Sequence, residues 1–304
     1  MQGVNFTRRR NRLPSNAQVV GAALICAAIL TTCRQAPQAN RTEAAQPSAT
    51  PSSDQTLWIT ADGLRLKLRV YQSAKLGKSP VLVLVLHGDS PFAPPSYQYA
   101  FARKLAAQMD NLVVAALLRP GYTDDTGERS GGKRGLATGD NYTPEVVDAV
   151  VKLTDELKAR FHPACTVLVG HSGGAAIAAD VLGRWPSEVN AALLVSCPCD
   201  LKAWRRHMLK VQSNPIWLLP VTSISPLDVA GKVLPSVRVR MIVGSEDNVA
   251  PPAIAQQYAD ALRNRGGDAN ITIAPGLKHD ILLEPVTFEQ SRLLLQDCER
   301  RLKN

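Results

Sequence analysis

Apolar and polar positions alternate with changing periods along the chain, and these periods predict the elements of a fold. Residues 57–60 and 64–71 alternate apolar and polar side chains around the turn sequence Ala61-Asp62-Gly63, which predicts an antiparallel hairpin. Later runs are apolar at almost every position, as in strands that are buried on both faces. We expect such strands at 80–86, 112–118, 165–169, 191–196, 237–243 and 271–274.

Segments with helical spacing of apolar residues separate these predicted strands. Thr143-Pro144-Glu145 is a helix-start signal, and Gly266-Gly267 is a stop signal. The predicted helices cover 97–109, 144–160, 173–185, 252–265 and 286–302. Buried strands that alternate with helices are typical of an α/β fold with a doubly wound, mostly parallel sheet. Residues 201–236, which are helical and broken by prolines, are predicted to form a short cap-like insertion.

The first 56 residues have a different pattern. The apolar run at 17–30 follows a basic start, is short for a membrane span and fits the core of a secretory signal. It ends at Cys33 in a sequence that resembles a bacterial lipobox, although Thr32 stands where Gly, Ala or Ser is usual. We therefore predict a signal peptide at 1–33 with lipidation of Cys33, and a flexible linker at 34–56. The domain at 57–304 would then be lipid-anchored on the periplasmic side of a bacterial envelope.

Composition and charge narrow the class of protein. The chain has 304 residues and 45% hydrophobic content, which is enough for one large domain with a core. Its net charge is +9, but four arginines lie within the predicted signal: Arg8, Arg9, Arg10 and Arg12. Neither a basic helix nor a basic patch with interleaved aromatic residues follows, so nucleic-acid binding is not expected.

The motif that most strongly indicates a catalytic site is the pentapeptide Gly170-His171-Ser172-Gly173-Gly174, which follows a predicted strand. A β-branched run that stops at G-x-S-x-G and continues as a small-residue helix predicts a nucleophile elbow with Ser172 at its apex. The glycines allow a tight turn that lifts the serine hydroxyl clear of the sheet. The alternative is a glycine-rich turn with a surface serine.

A serine hydroxyl needs a base and an orienting carboxylate to act as a nucleophile at neutral pH. Functional groups of an open parallel sheet gather at the carboxyl ends of its strands. Asp247 follows the strand predicted at 237–243, and His279 follows the last predicted strand. The chain therefore supplies Ser172, Asp247 and His279 in that order.

Together these features resemble the α/β-hydrolase superfamily, from about Leu57 to the end of the chain. The resemblance rests on five stretches: His87-Gly88 after a strand, Arg119-Pro120-Gly121-Tyr122, the elbow, the Gly-x-x-Asp stretch that ends at Asp247, and the late His279.

The resemblance implies Ser172 as nucleophile, His279 as general base and acid, and Asp247 as the residue that orients His279. It also implies an oxyanion hole formed by the backbone N–H groups of Asp89 and Gly173. These donors would stabilise the negative oxygen of a tetrahedral intermediate.

Other residues compete for these roles. Asp200 follows the strand predicted at 191–196, and some hydrolases of this fold take their acid from that strand, so Asp200 is the second choice. His171 is interpreted as a packing residue, and His87 as support for the oxyanion loop. His207 lies in the insertion, where it could line a pocket.

Four cysteines lie in the predicted domain of a chain that we expect to reach an oxidising compartment. Cys165 begins the elbow strand, and Cys298 lies in the last helix, which should run antiparallel to the strands and end at the same edge of the sheet. A Cys165–Cys298 disulfide is predicted, with two buried free thiols as the alternative. Cys197 and Cys199 lie near the predicted site with too few partners for a metal.

Three functions remain open from the sequence. The first is a serine hydrolase that cleaves a carboxylic ester through an acyl-enzyme intermediate, and the second is a peptidase or amidase with the same residues. The third is a catalytically silent, surface-tethered binding protein. Ser225-Pro226-Leu227-Asp228 resembles a run of dienelactone hydrolases and prolyl oligopeptidases, which implies small esters or short peptides as substrates. Neither a cofactor nor a metal is expected.

Overall fold

The structure is a computed structural model that describes residues 53–301. The predicted signal peptide, its Cys33 and most of the predicted linker lie outside these residues. The strands are β1 Ser53–Ala61, β2 Leu64–Gln72, β3 Val81–Leu86, β4 Leu112–Leu118, β5 Cys165–His171, β6 Ala191–Val195, β7 Arg238–Gly244 and β8 Asp268–Ala274. They form one sheet in the order β1-β2-β4-β3-β5-β6-β7-β8.

The helices fall where the apolar spacing predicts them, with small shifts at their ends. They are α1 Tyr97–Gln108, α2 Pro144–Phe161, α3 Gly173–Arg184, α4 Leu201–Gln212, α5 Pro226–Val229, α6 Pro252–Arg263 and α7 Pro285–Arg301. The Thr143 side chain accepts a hydrogen bond from the amide of Val146, as its place before α2 predicts. Between residues 53 and 301, no helix is both long and apolar enough to cross a lipid bilayer.

The sheet is mostly parallel, with an antiparallel hairpin at one edge. β1 and β2 pair antiparallel around the turn at Asp62 and Gly63, and β2 pairs antiparallel with β4. The remaining neighbours, from β4 to β8, are parallel. β1 begins at Ser53, so it includes four residues that the sequence analysis assigned to the linker. Their backbone pairs with β2, up to Ser53 opposite Gln72.

The sheet separates two apolar layers. In β3, side chains alternate between the layers: Leu82, Leu84 and Leu86 face one, and Val81, Val83 and Val85 face the other. The first layer contains α2, α3 and α6, and the second contains α1 and α7. Because both faces are covered, the central strands are apolar throughout, which is why their sequences lack a period of two.

The insertion at 201–236 comprises α4, α5 and two single 3-10 turns, at Pro215–Leu218 and Ala230–Lys232. Trp204 and Trp217 are both buried in it and pack edge to face, with ring centroids 5.2 Å apart. The indole N–H of Trp204 donates to the carbonyl oxygen of Val249 at 2.9 Å. The insertion is therefore joined to the loop that follows β7.

Two disulfides occur among the described cysteines. Cys165 at the start of β5 is bonded to Cys298 in α7, as the sequence analysis predicts, and the bond joins residues 133 positions apart. Cys197 is bonded to Cys199, a pairing that the sequence analysis did not propose. The first bond ties the C-terminal helix to the middle of the sheet.

The two disulfides should differ in their effect on stability. A crosslink lowers the entropy of the unfolded chain more when it closes a longer loop, so Cys165→Ala/Cys298→Ala should lower the free energy of unfolding by about 2–5 kcal/mol. Cys197→Ala/Cys199→Ala removes the same number of buried sulfur atoms but opens only a very short loop, and should cost about 1–2 kcal/mol. Urea unfolding of the two double variants measures the difference. Equal losses would show that loop closure is not the source of the stabilisation.

Candidate active site

Ser172 lies at the sharp turn between β5 and α3. Its backbone has φ 53° and ψ −121°, a strained conformation that residues other than glycine rarely adopt. The turn can pack against the sheet because Gly174 lacks a side chain: a Cβ atom there would lie 2.3 Å from the carbonyl oxygen of Leu86. The elbow predicted from Gly170 to Gly174 is therefore the conformation observed.

Ser172, His279 and Asp247 form a continuous chain of hydrogen bonds. The distance from Ser172 Oγ to His279 Nε2 is 2.9 Å, and that from His279 Nδ1 to Asp247 Oδ2 is also 2.9 Å. A carboxylate only accepts hydrogen bonds, so Nδ1 carries the proton and Nε2 accepts the serine hydroxyl. This tautomer leaves Nε2 free to take the proton of Ser172.

Two backbone amides hold the carboxylate of Asp247 in place. Asp247 Oδ1 accepts from the N–H groups of Val249 at 2.9 Å and Ala250 at 2.8 Å, and the residue is buried. Close packing after β7 brings the histidine loop to this carboxylate, since a Cβ atom at Gly244 would lie 2.1 Å from the carbonyl oxygen of Leu277. Asp247 is therefore oriented towards His279 before any substrate binds.

The other candidates from the sequence lie in different positions. Asp200 caps α4 by accepting from the amide of Ala203 at 2.9 Å, and Asp247 takes the place beside His279. The ring of His207 contacts the carbonyl oxygen of Asn248 on the loop after β7. The second-choice acid is thus occupied in starting the helix of the insertion.

His87 and His171 both support neighbouring loops. His87 Nδ1–H donates to the carbonyl oxygen of Gly88 at 2.7 Å, as the expected support role requires. His171 does more than pack: its Nε2–H donates to the carbonyl oxygen of His279 at 3.1 Å. Its Nδ1 accepts from the hydroxyl of Tyr97 at 2.9 Å, and that hydroxyl accepts from the amide of Gly88 at 2.6 Å. These bonds connect the loop after β3 to the loop that carries His279.

Asp89 and Gly173, whose amides are the predicted oxyanion donors, belong to segments that meet at Ser172: a Cβ atom at Gly88 would lie 2.9 Å from Ser172 Cβ, and Gly173 directly follows Ser172. Gly173 is the first residue of α3, where an N–H group has no partner within the helix. The two residues are also close in space, because a Cβ atom at Gly173 would lie 2.6 Å from Asp89 Oδ1. Gly173 thus leaves room for the Asp89 side chain.

Three donors hold the carboxylate of Asp89. Arg119 Nη1 donates to Oδ1 at 3.0 Å, Tyr122 donates to Oδ1 at 3.3 Å, and Tyr142 donates to Oδ2 at 2.7 Å. Burial, together with the adjacent charge of Asp89, raises the pKa of Tyr142 well above its ordinary value, so its hydroxyl stays protonated and donates. The loop after β3 is fixed by side chains from two later segments.

Arg119 is fully buried beside Asp89. Its Nη1 also donates to the carbonyl oxygen of His87 at 3.1 Å, and its Nη2 donates to Asn141 Oδ1 at 2.9 Å. Removing only one partner of such a buried pair leaves an uncompensated charge, so the two residues depend on each other.

The long loop at 123–142 and the insertion are joined by Arg205. Its guanidinium donates to the carbonyl oxygens of Thr138, Trp217 and Leu219. In the structure the two segments form one connected rim beside the site.

His171, His279 and Asp280 are the described residues whose geometry comes closest to a metal site, with ligating atoms within 4.8 Å of one another. Both ring nitrogens of His171 and Nδ1 of His279 already have hydrogen-bond partners. Binding a metal would require these bonds to break, so the cluster does not fit one. Two acids of the loop at 123–142, Asp124 and Glu128, form ion pairs with the buried Lys67.

Comparison with known proteins agrees with this architecture. Residues 82–231 match the model of the alpha/beta hydrolase family. Acylamino-acid-releasing enzyme 2 of Oryza sativa subsp. japonica is 25% identical over 265 residues, which are 80% of this chain and 32% of that protein. The chain thus spans about a third of the length of this curated relative.

Two solved structures from Pyrococcus show the same fold. The Pyrococcus furiosus esterase Pf2001 aligns with a TM-score of 0.62 at 16% identity, covering 81% of this chain and 92% of the esterase. The Pyrococcus horikoshii acylaminoacyl peptidase aligns with a TM-score of 0.64 at 16% identity, covering 84% of this chain and 42% of the peptidase. The family match and the structural alignments together identify the α/β-hydrolase fold in this chain.

Sequence reasoning missed several residues that shape the site. Arg119 directly follows a predicted strand, so the rule that selected Asp247 could also have selected it. Tyr97 and Tyr142 carry no local signal, because an aromatic residue at a helix start or in a loop has many roles. Only the folded chain brings their hydroxyls to Gly88 and Asp89.

The buried His171 should make stability depend on pH. Burial, followed by the nearby His279, lowers the pKa of His171 from 6.5 to about 4. Below about pH 6.5 the unfolded chain binds a proton that the folded chain excludes, so stability is complete above that pH and falls as pH decreases towards 4. Between about pH 7 and pH 5 the loss should be about 2 kcal/mol.

Urea unfolding at the two pH values tests this expectation in the wild type and in His171→Gln, which should have a smaller loss. His207→Gln, a change on the partly exposed face of α4, is the control and should keep the wild-type loss. Burial also lowers the pKa of His87, so some pH dependence should persist in His171→Gln. An unchanged loss in His171→Gln would show that His171 is not its source.

Proposed function

We propose that this protein is a serine hydrolase that cleaves carboxylic esters through an acyl-enzyme intermediate. The observation that carries the proposal is the hydrogen-bonded chain from Ser172 through His279 to the buried Asp247. A binding protein on the same scaffold would not require these three residue types in this geometry. The match of residues 82–231 to the alpha/beta hydrolase family model supports hydrolysis in general.

The first step would be attack of Ser172 Oγ on the ester carbonyl carbon while His279 Nε2 takes the hydroxyl proton. Asp247 would stabilise the imidazolium that forms and keep the ring oriented. Collapse of the tetrahedral intermediate would release the alcohol, which takes its proton from His279. Water, activated by the same histidine, would then cleave the acyl-enzyme and restore Ser172.

The amides of Asp89 and Gly173 would donate to the oxygen that becomes negative during attack. Such donors contribute on the order of several kcal/mol when they are fixed in advance. The Asp89 amide belongs to a loop that Arg119, Tyr122 and Tyr142 restrain through the Asp89 side chain. That restraint supports the assignment, because a mobile donor would have to be ordered during the reaction.

A peptidase is the second candidate, and similarity to proteins named as acylamino-acid-releasing enzyme and acylaminoacyl peptidase favours it. The esterase of similar fold is covered over 92% of its length, whereas the peptidase is covered over 42%. We favour the ester as substrate because an amide nitrogen leaves only when it is protonated, which makes the amide the more demanding substrate for the same three residues.

Ser172→Ala should abolish hydrolysis of p-nitrophenyl acetate, with a loss of at least about a thousandfold, because the attacking oxygen is removed. The same variant should lose labelling by a fluorophosphonate probe. Comparison of short-chain esters with aminoacyl p-nitroanilides separates the two enzyme candidates, and the ester should have the larger kcat/KM. A folded wild type that neither reacts with the probe nor cleaves either substrate would favour the binding protein.

Tyr142→Phe should test the positioning of the oxyanion loop. Loss of its hydrogen bond to Asp89 should lower kcat for the ester by about tenfold and leave KM within about twofold, because the proposed contact acts in the transition state. Tyr258→Phe is a matched control, since its buried hydroxyl bonds to no described group. Equal kcat in Tyr142→Phe and the wild type would reject the positioning role.

A further inference from the structure

A pocket of about 190 Å³ lies beside the loop that carries Asp89. One wall is the proline-rich stretch from Ser90 to Pro95, and the other is formed by Gly121, Tyr122, Thr123, Arg129 and Arg134. Ser90 directly follows Asp89, and the hydroxyl of Tyr122 bonds to the Asp89 carboxylate. The pocket therefore adjoins the proposed oxyanion hole.

The pocket carries two positive charges without nearby counterions. Among residues 53–301, neither Arg129 nor Arg134 has a carboxylate oxygen within 4.0 Å. Glu128 and Asp140, two acids of the same loop, have other partners. Glu128 forms an ion pair with Lys67, and the Asp140 oxygens accept backbone N–H groups.

The rest of the lining comprises apolar and aromatic residues together with the hydroxyl residues Ser90 and Thr123. The side chain of Phe92 at the pocket rim is 99% exposed, the highest value among the exposed large apolar residues of the described chain. The guanidinium of Arg134 lies 5.8 Å from the ring centre of Tyr122. A planar cation held over an aromatic ring presents its N–H groups in a fixed plane, which suits an oxyanion with two oxygens.

We propose that this pocket binds an anionic group, a carboxylate or a phosphate, on the ester substrate. The inference rests on the proposed hydrolase function and specifies its substrate class. Arg129 and Arg134 would bind the anionic oxygens, and Phe92 would cover the short apolar stem between the anion and the ester. The volume suits a fragment rather than a whole ligand, so the scissile ester would lie outside it, at Ser172.

Matched pairs of esters test the proposal. p-Nitrophenyl hydrogen glutarate carries an acyl-side carboxylate that its methyl ester lacks, and p-acetoxybenzoate carries a leaving-group carboxylate that its methyl ester lacks. For at least one pair, the anionic ester should have a kcat/KM at least about fivefold higher at low salt, since exposed charge pairs are individually weak. Competition by phenyl phosphate and by benzoate against the neutral ester then distinguishes a phosphate from a carboxylate.

Variants of the loop connect the preference to the pocket. Arg129→Gln/Arg134→Gln should remove the preference for the anionic ester and leave kcat/KM for the neutral ester within about twofold. Lys133→Gln is the matched control, because Lys133 is an exposed cation of the same loop that does not line the pocket. It should retain the preference.

The possible results distinguish failure of the proposed substrate class from failure of the proposed hydrolase function. Hydrolysis of the neutral esters without a preference for either anionic partner would overturn the proposal and leave the hydrolase function standing. An equal loss of the preference in Lys133→Gln would also overturn it, because a general positive field would then be the cause. Absence of any Ser172-dependent hydrolysis by the folded protein would reject the hydrolase function, and the substrate class with it.

Discussion

The site depends on close contacts between backbone segments that side chains would prevent. At the elbow, Gly174 packs against the carbonyl oxygen of Leu86, which brings the loop after β3 beside Ser172. After β7, Gly244 packs against the carbonyl oxygen of Leu277, which brings the His279 loop beside Asp247. Because atoms cannot interpenetrate, these contacts require glycine.

Buried polar groups then hold the loops in the positions that packing allows. Tyr97 and His171 connect Gly88 to the carbonyl oxygen of His279, so the loops after β3 and β8 share one set of hydrogen bonds. Arg119 joins the loop after β3 to the long loop through Asn141. In a low-dielectric interior, a polar group that loses its hydrogen-bond partner lowers the stability of the fold. Movement of one loop would break the hydrogen bonds of the others, so each bond restricts the neighbouring loops. The loops therefore form a rigid setting for the Ser172 hydroxyl.

Much of this arrangement could be predicted, because it follows from local rules. Runs such as 112–118 are short and apolar throughout, which is typical of strands covered on both faces. The Cys165–Cys298 bond followed from the direction of the last helix relative to the strands. Asp200 shows the limit of such rules: it also follows a strand, but its carboxylate caps α4, and position after a strand does not by itself separate it from Asp247.

The sequence by itself determined the element order, the elbow, and the positions of Ser172, Asp247 and His279 after strands. These features depend on the spacing of apolar side chains along the sequence and on residues that are neighbours in the chain. The tertiary structure alone decided which acid lies beside His279, that Tyr142 reaches Asp89, and that Arg129 and Arg134 line one pocket. Those relations join residues far apart in sequence, and their geometry exists only once the sheet and its loops have packed.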